Sequence, residues 1–123
     1  MKIILPGGAG LVGQNLIIKL KQSGYKDIVV IDKHLSNLNI LKNLHPDLKI
    51  ISADLGVYGD WSEVFEDADV VVMLQAQIGS NHSELFYRNN IESTKNILNS
   101  MKLYGVSYLV HISSSVVESA SDD

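Results

Sequence analysis

Glycines at positions 7, 8, 10 and 13 constrain this chain more than any other feature. They stand directly after the apolar run Ile3-Ile4-Leu5 and directly before Leu16, Ile17 and Leu20, which recur at helical spacing. The order is strand, glycine turn, helix. Glycine permits a tight turn and lets the backbone approach a ligand with no Cβ in the way. A helix that begins at Leu11 and Val12 points its unpaired N–H groups and the positive end of its dipole at whatever lies over the turn. An anion such as a pyrophosphate suits that position. Plain turns also use glycine, so the rest of the chain has to support the reading.

The first helix is expected over Leu11 to Lys21, with Gly13, Leu16, Ile17 and Leu20 on one face and Gly24 near its stop. Asp27-Ile28-Val29-Val30-Ile31-Asp32 has no alternation and ends in an acid, the pattern of a strand buried on both faces. Ser36 is expected to cap a short helix over Asn37 to Asn43, with Leu38, Leu41 and Leu44 turned inward, before a turn at His45-Pro46-Asp47. Leu48 to Asp54 reads as a third strand, Gly56 to Asp60 as a loop, and Trp61 to Glu66 as a short helical segment anchored by Trp61. Ala68 to Leu74 reads as the fourth and most apolar strand, and Gln75 to Ser80 as the loop after it. A long helix is expected from Ser83 to Tyr104, with Tyr87, Ile91, Thr94, Leu98 and Met101 along one face and Gly105 at its end. Ser107 to Ile112 is the fifth strand, followed by Ser113-Ser114-Ser115. Strands alternating with helices at this spacing imply an α/β domain built on a doubly wound parallel sheet of about five strands. This is the NAD(P)-binding Rossmann arrangement, with helices on both faces and ligands at the strand C-terminal ends. Residues 1–123 read as a single domain.

Asp32 is the second signal. It lies at the end of the second strand, 19 residues after Gly13. A carboxylate there can accept both hydroxyls of an adenosine ribose and would repel a 2′-phosphate, which favours NAD over NADP. Lys33 beside it keeps NADP open.

Composition removes several function classes. A formal net charge of −4 over 123 residues argues against nucleic acid as a partner, because binding to a phosphate backbone needs a basic surface. There is no cysteine, so disulfides, thiolate metal sites and cysteine nucleophiles are excluded. His34, His45, His82 and His111 share no ligand spacing, so no metal site is expected. No apolar run approaches the roughly 20 residues that span a bilayer. The start lacks the sustained apolar centre of a signal peptide, and the chain is read as cytoplasmic with no membrane partner.

Taken together, these residues resemble a known family. Gly7-x-x-Gly10-x-x-Gly13 is similar to the turn of the short-chain dehydrogenase/reductase superfamily, and the later motifs resemble its extended branch, the NAD-dependent epimerases and dehydratases of nucleotide sugars. Asp54-Leu55 resembles the Asp-Leu that contacts adenine in that family. Val71-Val72-Met73-Leu74-Gln75-Ala76 is similar to its Val-x-His-Leu-Ala-Ala, and Asn90-Ile91-Glu92-Ser93-Thr94-Lys95-Asn96-Ile97-Leu98 to its Asn-Val-x-Gly-Thr-x-Asn-Leu-Leu. Val110-His111-Ile112-Ser113-Ser114-Ser115 resembles the strand that carries the catalytic Ser or Thr. The resemblance implies a cofactor site at Gly7, Gly10, Leu11, Val12, Gly13, Asp32, Lys33, Asp54, Leu55, Gln75, Ala76 and Asn90. It makes Ser114 the catalytic hydroxyl, with Ser115 second, hydrogen-bonded to the substrate oxygen. The implied partners are a dinucleotide cofactor and a nucleotide-sugar substrate; enzymes of the family often dimerise, and a homodimer is left open.

The departures shape the expectation as much. Pro6 stands where the family has Thr, Met73 and Gln75 where it has His and Ala, and Val117-Glu118-Ser119 where it has Val-Tyr-Gly. The family's Tyr-x-x-x-Lys pair, which transfers the proton and holds the nicotinamide ribose, does not follow Ser115 in these residues. The chain is therefore expected to be the N-terminal cofactor-binding part of a longer enzyme, truncated before that pair and inactive by itself. Two alternatives carry other predictions. A non-catalytic dinucleotide sensor on the same fold would keep the glycines and Asp32 without needing the Tyr and Lys. A phospho-acceptor receiver domain would use Asp54, but it needs acids after the first strand and a Lys after the fifth, where Pro6-Gly7-Gly8 and Ser113-Ser114-Ser115 stand instead.

Overall fold

The computed structural model describes residues 1–74 and 84–112, with side chains from 91 onward in the second stretch. Five strands form one parallel sheet: β1 (Lys2–Pro6), β2 (Asp27–Asp32), β3 (Lys49–Ser52), β4 (Val70–Leu74) and β5 (Leu109–Ile112). Helices α1 (Leu11–Gln22), α2 (Leu35–Leu44) and α3 (Glu84–Tyr104) connect them, and a 3₁₀ turn spans Asp60–Phe65. The strand order is β3-β2-β1-β4-β5, all neighbours parallel. This is the doubly wound arrangement expected from the alternation of elements.

The unbroken apolar runs explain the layering. Successive side chains of a strand point to opposite faces, so a run with no polar positions feeds two cores at once. Ile3, Leu5, Ile28, Val30, Val70 and Val72 enter one apolar layer with Ile17 of α1 and Leu38 and Leu41 of α2. Ile4, Val29, Ile31, Val71 and Met73 enter the other with Trp61, Phe65, and Ile97 and Met101 of α3. Each fully buried aliphatic chain of this kind contributes about 1.5–3 kcal/mol.

The order of the strands sets the functional edge. The chain builds outward from β1 through β2 to β3, then returns to place β4 on the other side of β1. That reversal leaves a crevice beyond the C-terminal ends of β1 and β4, where ligands of such sheets bind. Pro6, buried at the end of β1, pairs with Ile31 on the β2 side, while the β1–β4 ladder stops at Ile4 and Val71. A proline, which has no N–H, fits where the ladder has already ended.

Three local expectations are corrected. Helix α2 starts at Leu35, so Ser36 lies inside its first turn and not at a cap; His34 precedes it with no side-chain cap. The reason is Asp32, whose carboxylate accepts the His34 N–H and turns the chain into the helix immediately after β2. Leu44, the last residue of α2, is exposed and not inward, because the chain leaves the helix there for the Pro46 turn. On α3 the buried stripe is Ile97, Ser100 and Met101, whereas Ile91 and Leu98 are exposed. Ser100 is tolerated inside because its hydroxyl donates to the Asn96 carbonyl one turn back, at 2.9 Å. A pattern read from large apolar residues alone misses a serine on the buried face. Strands three to five are also shorter than expected, and the segment around Trp61 is a 3₁₀ turn from Asp60 to Phe65.

Candidate functional site

The glycine turn lies at the reversal point of the sheet, between the end of β1 and the start of α1. Gly7 has φ +75°, and a Cβ there would fall 2.7 Å from the Leu74 carbonyl oxygen at the end of β4. Both facts require glycine. Gly7 N–H donates to Ile31 O at 2.7 Å, tying the turn to β2. Gly13 is required for a different reason: a Cβ on it would overlap the Gly8 carbonyl, so the first turn of α1 lies directly on the loop.

Gly10 differs from both. Its φ of −77° and ψ of −175° are open to any residue, and a Cβ there would meet nothing within 4 Å. Neither backbone conformation nor packing asks for glycine at this position. What glycine provides there is open space directly at the N-terminus of α1. That helix has no side-chain cap and no acid in its first turn, so its first N–H groups and dipole are not answered by a carboxylate of the helix itself. Leu11 and Val12, its first two residues, are exposed.

The turn is braced from two directions. Asp32 Oδ2 accepts the Ala9 N–H at 3.0 Å, and the Gln14 side-chain amide donates to the Ala9 carbonyl at 3.0 Å. These contacts steady the loop in a chain where Pro6 supplies no hydroxyl. Asp32, 12% exposed, also takes the Lys33 N–H on Oδ1 at 2.7 Å; Lys33 itself is exposed. Asp32 therefore links β2, the glycine turn and the start of α2.

Farther along the same edge, Asp54 and Leu55 follow β3. Asp54 is exposed, and its Oδ1 accepts the Gly56 N–H at 2.9 Å. The Leu55 carbonyl accepts from the Asn96 amide of α3 at 2.9 Å, and Trp61 donates its indole N–H to the Val57 carbonyl at 2.8 Å. Three contacts from three places hold a loop of four residues. Trp61 is buried and stacks obliquely between Tyr58 and Phe65, with ring centroids 5.8 and 6.0 Å away.

Gly7, Gly10, Leu11, Val12, Gly13, Asp32 and Lys33 thus converge on one region. Asp54 and Leu55 lie on the same edge, beyond β3. Gln75, Ala76 and Ser114 lie outside the described residues, and Asn90 belongs to α3 with its side chain outside them. Sequence reasoning passed over Gln14 and Asn96. Asn96 stood inside the quoted Asn90–Leu98 motif, one position before the buried Ile97; its polarity on the inner side of α3 was a usable signal. No spacing rule would have singled out Gln14, because its role depends on how closely α1 lies against the turn.

Among the described residues, no helix is long and apolar enough to cross a membrane, and no group of three metal-binding side chains gathers.

Comparison with known proteins agrees with this layout. A family model, the NAD dependent epimerase/dehydratase family, matches residues 3–123. UDP-glucose 4-epimerase of Bacillus subtilis is 32% identical over 129 residues, covering 95% of this chain and 38% of the relative. UDP-glucose 4-epimerase 3 of Oryza sativa is 27% identical over 129 residues, covering 94% of this chain and 35% of the relative. The chain thus spans little more than a third of the length of these relatives. Among solved structures, UDP-glucuronic acid 4-epimerase from Bacillus cereus in complex with NAD superposes with TM-score 0.72 at 28% identity, covering 95% of this chain and 41% of that one. Yeast methylglyoxal/isovaleraldehyde reductase complexed with NADPH shares the fold, with TM-score 0.75 at 19% identity over 94% of this chain and 37% of that one. With a family model covering all but its first two residues, this chain belongs to the NAD-dependent epimerase/dehydratase family.

Proposed function

We propose that these residues form the NAD-binding part of an epimerase or dehydratase acting on a nucleotide sugar. The observation that carries this reading is Gly10, a glycine that neither backbone nor neighbours require, placed where a pyrophosphate would meet the N-terminus of α1. In this reading the phosphates lie over Gly7 to Gly13 and take N–H groups from Leu11 and Val12. Asp32 accepts the adenosine ribose hydroxyls, and Asp54 with the Leu55 N–H faces the adenine. Bound NAD would supply the hydride acceptor; the chain's own part is to hold the dinucleotide in register along the strand ends. Gln75, Ala76 and Asn90 would complete the nicotinamide side, and Ser114 would hydrogen-bond the sugar hydroxyl. The 123 residues include no Tyr-x-x-x-Lys after Ser115, so by themselves they bind cofactor without transferring hydride.

Calorimetric titration of the folded chain with NAD and NADP tests this directly. NAD is expected to bind more tightly than NADP, and failure to bind either from a folded sample refutes the assignment. Asp32→Ala is expected to reduce the preference for NAD, because it removes both the hydroxyl acceptor and the charge that repels a 2′-phosphate. An unchanged ratio would show that Asp32 does not meet the ribose.

A further inference from the structure

Burial does little to hold the loop that follows β3. Asp54, Val57 and Tyr58 are exposed, and Gly56 has no side chain to bury. Hydrogen bonds set its course instead. The Val57 N–H donates to the Asp54 carbonyl at 3.0 Å and closes a turn, inside which the Gly56 N–H donates to Asp54 Oδ1 at 2.9 Å. The Val57 carbonyl in turn accepts the Trp61 indole N–H at 2.8 Å. Val57 is thus tied at both ends of its backbone, and Trp61 is the tie that reaches into the core. The indole is a firm anchor, buried in the apolar layer that holds Ile4, Val29 and Phe65.

That chain of contacts fixes the direction of one more group. The C=O and N–H of a trans peptide point opposite ways. With the Asp54 carbonyl held toward Val57, the Leu55 N–H of the same peptide is directed out of the turn. It has no partner among the described residues, and neither has Asp54 Oδ2. A carboxylate acceptor beside an N–H donor matches the Watson–Crick edge of adenine, whose amino group donates and whose N1 accepts.

We propose that Trp61 is a positioning residue for the adenine. Acting through Val57, it fixes the peptide that presents the Leu55 N–H to N1 of the base. This rests on the reading that turns Asp54 and Leu55 toward the adenine, and it adds the side chain that aims them.

Trp61 is the only tryptophan in the chain, so expression in a tryptophan auxotroph fed benzothienylalanine replaces it alone. That analogue keeps the shape of the ring and removes the N–H. Trp61→Phe is the second variant. Val57 is 65% exposed, so water can take the place of the lost donor and the fold is kept. Wild type and both variants are titrated by calorimetry with NAD and with its hypoxanthine analogue, in which N1 carries a proton and cannot accept. Wild type is expected to bind NAD more tightly than the analogue. Each variant is expected to weaken NAD by about threefold to tenfold, the scale of one hydrogen bond, and to leave affinity for the hypoxanthine dinucleotide unchanged. Equal weakening of the two dinucleotides would make Trp61 a support of the fold only and overturns the proposal. Unchanged NAD affinity in both variants overturns it as well. If wild type binds the two dinucleotides equally, the Leu55 contact with N1 is absent and this proposal falls while the NAD assignment stands. If wild type binds neither, the NAD assignment falls and this proposal with it.

Discussion

At the scale of single residues, three of the four glycines of the turn, Gly7, Gly10 and Gly13, separate by what each one answers to. Gly13 answers to the Gly8 carbonyl and Gly7 to its own φ and to Leu74, whereas Gly10 faces open space. Substitutions should divide the same way. Gly13→Ala is expected to lower stability by about 1–3 kcal/mol, the range for forcing atoms into a packed contact, read from urea denaturation. Gly10→Val is expected to cost at most about 1 kcal/mol, the loss of a preferred helix cap, and yet to abolish NAD binding by calorimetry. Undiminished affinity in folded Gly10→Val would remove the pyrophosphate from this turn. All three glycines were visible in the sequence, but their different duties were not. A glycine's reason lies in its neighbours, and those neighbours come from β4 and from the loop folding back on itself.

At the scale of elements, the contacts that matter join parts of the chain far apart in sequence. Asn96 of α3 reaches the Leu55 carbonyl after β3, across 41 positions. Asn96→Ala leaves that carbonyl without its side-chain partner. It is expected to weaken both NAD and AMP by about threefold to tenfold, the scale of one hydrogen bond, while leaving affinity for nicotinamide mononucleotide unchanged. A second join ties α1 to the turn before β3: Lys21 Nζ donates to Asp47 Oδ1 at 2.8 Å and to His45 Nδ1 at 3.3 Å. The hydrogen bond from Lys21, helped by the Asp47 backbone, holds the Asp47 carboxyl below its ordinary value. A depressed carboxylate contributes stability above its unfolded pKa and loses it as pH falls through the folded one. The advantage of wild type over Lys21→Met, read as the urea midpoint, should therefore shrink as pH drops below about 4. A constant difference down to lower pH would mean that the ion pair is not its source. Element boundaries followed the sequence closely for β2, where an unbroken apolar run has one interpretation. They slipped for α2, where Ser36 was not the cap; α3 kept its expected bounds, and what differed there was the buried face, which holds the polar Ser100.

At the scale of the whole molecule, both layers of the core meet the sheet whose reversal creates the ligand crevice, so binding there should stabilise the domain as a unit. At a free NAD concentration of about 100 times Kd the gain is about 2.7 kcal/mol. For a domain of this size that corresponds to a rise in melting temperature of roughly 10 °C, measured by differential scanning calorimetry. NADP at the same multiple of its own Kd should do the same. A melting temperature unmoved by saturating NAD would mean that binding, if any, is not to the folded sheet edge.

The sequence by itself determined the sheet class, the succession of strand, glycine turn and helix, and the pairing of that turn with an acid at the end of β2. Each follows from chemistry carried by adjacent residues: apolar runs that must be buried on two faces, glycines before a helix, a carboxylate at a strand end. Only the tertiary structure decided which glycine neither packing nor backbone requires, that Gln14 and Asn96 brace the two ends of the candidate site, and that His34 contacts Asp32. Those outcomes depend on which elements meet after the chain reverses across β1, and contacts made at that distance leave no local pattern to read.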